Sequence, residues 1–266
     1  MKVDFIMMTA DDITSGLKTQ SLGHRVYAYQ QTRSTNDIAL HLGANGAPDG
    51  ALVIAEYQTA GKGRLGRSWI SPPSCCILAS LLLRPTIQPY QTPVVTLLAA
   101  SAAANSIRTL TKLPAKIKWP NDVIIEKKKV CGILTEMGIG KGGQQFLVVG
   151  IGINVNIAKD SFPFLLRSKA TSLSILLGYE LPRIQLLQQF LLEFENRYML
   201  LNQGNLTPII SEVKNLSSIL GRQVRIECND KTIVGQAVDI DENGALVLRL
   251  RVGTFEKVIT GGVTLI

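Results

Sequence analysis

The chain has 266 residues, 46% hydrophobic and 18% charged, with a net charge of +8. That balance excludes a disordered chain, and no run of about 20 apolar residues lacks a polar interruption, so no membrane span is expected. The N-terminal MKVDFIMMTADD has an apolar stretch too short for a signal peptide, so a cytoplasmic location is expected.

In chain order, Ser34-Thr35-Asn36-Asp37 before IALHLG reads as a capped start to a short helix that Gly43 and Gly46 end. ALVIAEYQ (51–58) and CCILASLLL (75–83) read as buried strands. TPVVTLLAASAAANSIRTLT (92–111) is the strongest helix, with a Thr-Pro start and an Ala-rich apolar run. AKIKW (115–119) is a short strand closed by the turn residues Pro120-Asn121-Asp122. VIIE (123–126) and VCGILTEM (130–137) make a hairpin pattern around the intervening lysines. GIGKGG (138–143) is a second turn before the strand QFLVVGIGINV (145–155). Helices follow from Ser172 and over 182–203, the longer one with apolar residues at helical spacing.

From about Leu220 the pattern changes to five short alternating strands, split by Asn229-Asp230, Asn243-Gly244 and Gly261-Gly262, which suggests a small barrel. A boundary near 217–220 separates residues 1–218 from 219–266. The four cysteines form no C-x-x-C and only His24 and His41 accompany them, so they read as small buried hydrophobes rather than zinc ligands.

Charge is unevenly spread. No acid lies between Glu56 and Asp122, an interval that holds Lys62, Arg64, Arg67, Arg84, Arg108, Lys112, Lys116 and Lys118. Such a segment suits an anionic ligand. Within it, TAGKGRLGRSW (59–69) contains G-x-G-x-x-G at Gly61, Gly63 and Gly66. A dinucleotide fold needs a strand before this pattern, a helix opening after it and an acid about 20 residues on. The strand is there, but Ser71-Pro72-Pro73 follows the loop and the acid is missing. The second such match, Gly138 to Gly143, falls in a hairpin turn and is assigned to positive-φ geometry. What remains at 59–69 is a mobile loop whose backbone N–H groups, arginine forks and Trp69 can enclose an anion.

Four segments together resemble the biotin–protein ligases: STN (34–36), QTAGKGRLGRSW (58–69), KWPNDV (118–123) with KKKVCGILTEM (127–137), and GIGINVN (150–156), with ATSL (170–173) after them. The resemblance implies an α+β fold: a mixed sheet with helices packed on one side forms a catalytic domain over 1–218, and a small SH3-like barrel follows over 219–266. It implies a two-step reaction, in which biotin and MgATP give biotinyl-5′-AMP and a lysine of a biotin carboxyl carrier domain of acetyl-CoA carboxylase then takes the biotinyl group. ATP, Mg²⁺ and biotin are thus substrates, with no tightly held cofactor.

By the same resemblance, Ser34, Thr35, Asn36, Gln58, Gly61, Lys62, Gly63, Arg64, Lys129 and Gly132 line the biotin pocket. Arg64, Arg67, Trp69, Lys118, Asn121, Asp122 and Asn154 face ATP, Asn121 and Asp122 place the metal, and Arg64, Lys129, Lys118 and Asp122 carry the catalysis. The family often has arginine where this chain has Lys62, so a forked side-chain contact there is not expected. Only about 20 residues precede the resemblance, too few for the helix-turn-helix module of some relatives, and no specific DNA binding is expected. A homodimer is compatible with the sequence. A lipoate or octanoate ligase on the same fold is the first alternative, disfavoured by STN and KWPND. A basic nucleic-acid-binding protein is the second, and it lacks interleaved aromatic residues.

Overall fold

The computed structural model describes residues 7–228 and 231–266, so the expected Asn229-Asp230 turn and the first six residues of the N-terminal stretch lie outside the described residues. The helices are α1 (Ala10–Thr14), α2 (Thr35–Ala44), α3 (Thr92–Thr111), α4 (Leu173–Leu177), α5 (Arg183–Asn202) and α6 (Thr207–Leu216). The first sheet contains β1 (Val26–Thr32), β2 (Leu52–Gln58), β3 (Cys76–Leu83), β4 (Lys116–Lys118), β5 (Asp122–Ile125), β6 (Lys128–Ile139) and β7 (Gln145–Asn154), in the order β1-β2-β3-β7-β6-β5-β4. Only β1 and β2 run parallel, and the remaining pairs are antiparallel.

Alternation along β3 and β7 builds two different faces. Ile77, Ala79, Leu81 and Leu83 of β3 and Val149, Ile151 and Ile153 of β7 join the main core with the apolar sides of α3 and α5. The other face carries Leu82 and Val148, which pack with Phe146 under α2, and beyond them Ser80, Gly150 and Gly152. The two long helices therefore cover one face, and short α2 closes one end of the other. The uncovered remainder of that second face holds the site.

α3 is long and apolar enough to cross a membrane, but 67% of its most apolar window is buried inside the fold, which marks it as a core helix. It ends where Lys112 adopts a left-handed conformation and donates its N–H to the Arg108 carbonyl.

The second sheet is antiparallel, with β8 (Gln223–Cys228), β9 (Lys231–Ile240), β10 (Leu246–Arg249), β11 (Phe255–Val258) and β12 (Gly262–Leu265) in the order β11-β10-β9-β8-β12. Its inward residues Val224, Ile226, Ala237, Ile240, Leu246 and Leu248 belong to the same buried cluster as α3. Trp119, fully buried, donates its indole N–H to the Gly244 carbonyl across the two sheets at 3.0 Å.

Several elements depart from the sequence reading. β1, α1 and α6 were not expected; β1 is an edge strand with no fully buried residue, so its apolar signal is weak. The turn of the β5–β6 hairpin is Glu126-Lys127, both at positive φ, so β6 begins at Lys128 inside the lysine run. In the second glycine motif only Gly142 and Gly143 have positive φ. Gly138 instead makes room for Phe146, whose Cζ would stand 2.2 Å from an added Cβ.

Candidate active site

The floor of the site is a patch of bare backbone. Gly132 of β6 pairs with Gly152 of β7, and Leu134 pairs with Gly150, all on the uncovered face. A Cβ at Gly150 would meet Asn36 Oδ1 at 2.2 Å, and one at Gly152 would meet Trp69 Cε2 at 2.6 Å. A Cβ at Gly132 would meet Lys129 Nζ at 2.7 Å. These glycines let Asn36 of α2, Trp69 of the glycine loop and Lys129 of β6 itself lie against the sheet.

At one end stands the start of α2. Thr35 donates to Gln58 Oε1 from its N–H at 2.6 Å and from its hydroxyl at 3.0 Å. Ser80 Oγ lies 2.7 Å from Thr35 Oγ1 and 2.6 Å from Asn36 Oδ1, and its one proton can serve either. The Asn36 amide donates to Glu136 Oε2 at 2.6 Å. Ser34 occupies the N-cap position, yet its side chain makes no capping bond, and it is buried. The cap expected of this serine is therefore not formed.

The glycine loop folds over this floor as a short flap. The Gly63 N–H donates to the Arg67 carbonyl at 2.7 Å and the Trp69 N–H to the Gly61 carbonyl at 2.9 Å, with a single β-bridge between Lys62 and Ser68. At its tip Leu65 and Gly66 both take positive φ. Gly61 has no room for a side chain, since a Cβ would lie 2.6 Å from the Trp69 carbonyl oxygen. No helix opens after the loop, which agrees with the rejection of a dinucleotide turn.

Arg64 leaves this flap to donate to Asn121 Oδ1 at 3.0 Å and to Thr260 Oγ1, from the second sheet, at 2.5 Å. Burial lowers its pKa, the nearby Asp122 carboxylate opposes that, and Arg67 adds to it. A guanidinium remains charged under such shifts, so Arg64 is a half-buried cation set between the Asp122 carboxylate and Arg67. Lys129 forms an ion pair with Asp122 at 2.6 Å, and its ammonium lies 5.4 Å from the centre of the Trp69 ring. The indole N–H of Trp69 is buried with no partner among the described residues.

Two cavities meet at the flap. A small one of about 50 Å³ brings together Ser34, Thr35, Asn36, Gln58, Lys62, Gly63, Arg64, Trp69, Asn121, Lys129 and Gly132 with Gly150 and Gly152. A larger one of about 690 Å³ lies on the other side of the flap, bordered by Gly61 to Ser68, the start of α3, Pro120, Gly244 and Thr260. Arg67 borders only the larger of the two.

Three expected residues stand apart. Lys118 pairs with Asp122 in the β4–β5 register but lines neither cavity. Asp122 lines neither directly and approaches the site through Lys129. Asn154 is buried beside Cys76 and donates its amide to the Thr171 carbonyl at 3.1 Å, roofed by the segment that carries ATSL. Among the described residues no three His, Cys, Asp or Glu side chains gather as a metal cluster.

Sequence reasoning missed Ser80, Glu136 and Thr260. Ser80 was detectable as the polar residue on the second face of an otherwise apolar strand. Glu136 shares its alternation with Gly132 and Leu134. Thr260 had no local signal, because only the packing of the second sheet brings it to Arg64.

Comparison with known proteins agrees with this geometry. The biotin/lipoate A/B protein ligase family matches residues 27–154, which defines the class of the first sheet and its site. The biotin protein ligase C terminal domain matches residues 219–265. The bifunctional ligase/repressor BirA of Bacillus spizizenii is 39% identical over 246 residues, covering 92% of this chain and 76% of that protein. The biotin–[acetyl-CoA-carboxylase] ligase of Mycobacterium tuberculosis is 36% identical over 225 residues, covering 82% and 80%. The structure of biotin protein ligase from Aquifex aeolicus in complex with biotin and ATP aligns with a TM-score of 0.78 at 26% identity, over 91% of this chain and 98% of that one. The chain belongs to the biotin protein ligase family.

Proposed function

We propose that this chain activates biotin with ATP and transfers it to a lysine of a biotin carboxyl carrier domain of acetyl-CoA carboxylase. The observation that carries this reading is the small cavity, where STN, the glycine loop, the segment after KWPND and GIGIN converge on bare backbone. In the first step a biotin carboxylate oxygen attacks the α-phosphorus of ATP. The bond to pyrophosphate breaks, leaving biotinyl-5′-AMP. In the second step the carrier amine attacks the carbonyl carbon, an amide forms, AMP leaves and the amine loses a proton.

The first step brings two anions together, a repulsion of about 4 kcal/mol at 4 Å with an effective dielectric constant near 20. In this reading Arg64 and Lys129 offset it, each already held near the pocket by a partner that an anion can displace. Ser34, with no cap bond to keep it, and the Thr35–Gln58 pair face the polar ring of biotin. Gly61 and Lys62 offer backbone N–H groups, Gly63, its N–H held by the Arg67 carbonyl, keeps the loop close to the ligand, Gly132 lets the ligand approach closely, and Trp69 walls the adenylate. Arg67 faces the phosphates from the larger cavity, with Lys118 further out. Asn154 supports the nucleotide end through the Thr171 segment.

Magnesium suits this site in the ordinary way, with one or two carboxylates and mostly phosphate and water ligands. Asp122 would supply the carboxylate and Asn121 would lie beside it, its amide oxygen already turned to Arg64. When bound, the ion neutralises phosphate charge. The demand for ATP supports a cytoplasmic place of work. The division of labour proposed is activation within 1–218 and closure of the phosphate side by 219–266. The repressor activity in the name of the Bacillus relative is not carried over.

Mass spectrometry after incubation with MgATP and either biotin or lipoate, without carrier, tests the substrate. Biotinyl-5′-AMP and no lipoyl adenylate is the expected result. Lipoyl adenylate alone would establish the alternative.

A further inference from the structure

Lys62 is a cation of the glycine loop whose side chain is already engaged. Its ammonium pairs with Asp37 in the first turn of α2 and lies 3.8 Å from Glu136 Oε1 on β6. The other oxygen of Glu136 accepts from the Asn36 amide at 2.6 Å, and Asn36 is part of the pocket floor. The flap, the helix start and the floor thus meet in one chain of polar contacts.

We propose that Asp37 and Glu136 are positioning residues that latch the glycine loop over the pocket through Lys62. Lys62 then serves biotin by holding the loop, while its backbone faces the ligand. This rests on the reading above that the small cavity takes biotin. Two features of the cluster shape the consequences. The Lys62 and Asp37 side chains are 40% and 41% exposed, so the pair is modest in strength and sensitive to salt. Lys62, which lines the small cavity, also neutralises two carboxylates behind it, Glu136 on the wall of the larger cavity and Asp37 on neither. Removing Lys62 both unlatches the loop and uncovers negative charge. Removing the Asp37 charge unlatches the loop and lessens negative charge. The two substitutions therefore separate a latch from simple electrostatics.

The test uses the full chain with Lys62→Met, Asp37→Asn and the exchange Lys62→Asp/Asp37→Lys. Biotin KM is measured in carrier labelling at low and high salt, and trypsin nicking after Arg64 and Arg67 is followed without ligand. A latch raises biotin KM about two- to five-fold in both single variants at low salt, with a smaller effect on kcat. The difference closes at high salt, both single variants are nicked faster, and the exchange recovers part of the loss, because it restores the pair with position 37 but sets a like charge against Glu136. A lower KM in Asp37→Asn with nicking as in the wild type would overturn the latch. If the wild-type chain labels no carrier, the biotin reading fails, and equal nicking rates would overturn the latch separately.

Discussion

Gly150→Ala tests the bare-backbone floor. The added methyl would stand 2.2 Å from Asn36 Oδ1, 2.9 Å from its Cγ and 3.0 Å from its Nδ2, where ordinary contact begins near 3.4 Å. Asn36 must therefore move by about 1 Å, yet it is buried and bonded to Glu136, with Ser80 at 2.6 Å. Overpacking of this kind costs about 1–3 kcal/mol, and loss of a hydrogen bond to a charged group about 1.5–3 kcal/mol. Together they predict a destabilisation of roughly 3–5 kcal/mol, a fall in Tm on the order of 10 °C, and at least a tenfold weaker affinity for biotin. Thermal melting and calorimetric titration with biotin measure both effects. Gly262→Ala is the control, because nothing among the described residues lies within 4 Å of its added Cβ, and a change within about 0.5 kcal/mol is expected. A Gly150→Ala protein that melts and binds biotin like the wild type would refute the argument that this glycine exists to seat Asn36.

Arg64→Gly removes the cation that faces Asn121 and Thr260, so the adenylate should escape and label bystander lysines in a carrier-free mixture; unchanged retention of the adenylate, read by gel filtration and mass spectrometry, would count against that role. Thr260→Val removes the contact between the second sheet and the loop at 2.5 Å, and should raise the KM for ATP roughly three- to ten-fold, from about 1 kcal/mol of lost hydrogen bonding; an unchanged KM would detach the second sheet from the site. Glu195 is buried, which raises its pKa, but N–H groups of Leu22, Gln20 and Ser21 and the Ser21 hydroxyl lower it by more, for a net shift below the ordinary value. Its stabilisation is therefore full above the unfolded carboxylate pKa near 4.3 and disappears as pH falls through the lower folded value. Urea melts of wild type and Glu195→Gln should differ at pH 7 and converge as the pH falls through the lowered folded value, and a constant difference would contradict this.

The site was legible in the sequence where one segment carries several signals at once. The glycine loop combined a preceding strand, cations and an aromatic residue, and its missing helix and missing acid already ruled out a dinucleotide turn. GIGIN was read as a strand, but its glycines gained their meaning only when Asn36 and Trp69 were found lying on them. Lys129 and Gly132 were named separately, and the structure joins them, since the lysine occupies the space that a side chain at 132 would fill. Partners distant in sequence were not legible. Thr260 reaches Arg64 from 196 positions away, and no periodicity encodes that. The weak edge strand β1 owes its form to pairing with β2 more than to local pattern, whereas α1 and α6 carry local signals that went unread: a capping box between Thr9 and Asp12, and Ile209, Ile210, Val213 and Leu216 at helical spacing after Thr207-Pro208. Asn154 lay in a recognisable motif, but the roof over it depends on how residues 157–171 fold back.

The most direct measurement mixes the full chain with biotin, MgATP and an isolated biotin carrier domain, and weighs the carrier. The account predicts that the carrier gains the mass of one biotinyl group on a single lysine, and gains none when ATP is left out. An unchanged carrier mass, with a competent ligase labelling the same carrier in parallel, would contradict it.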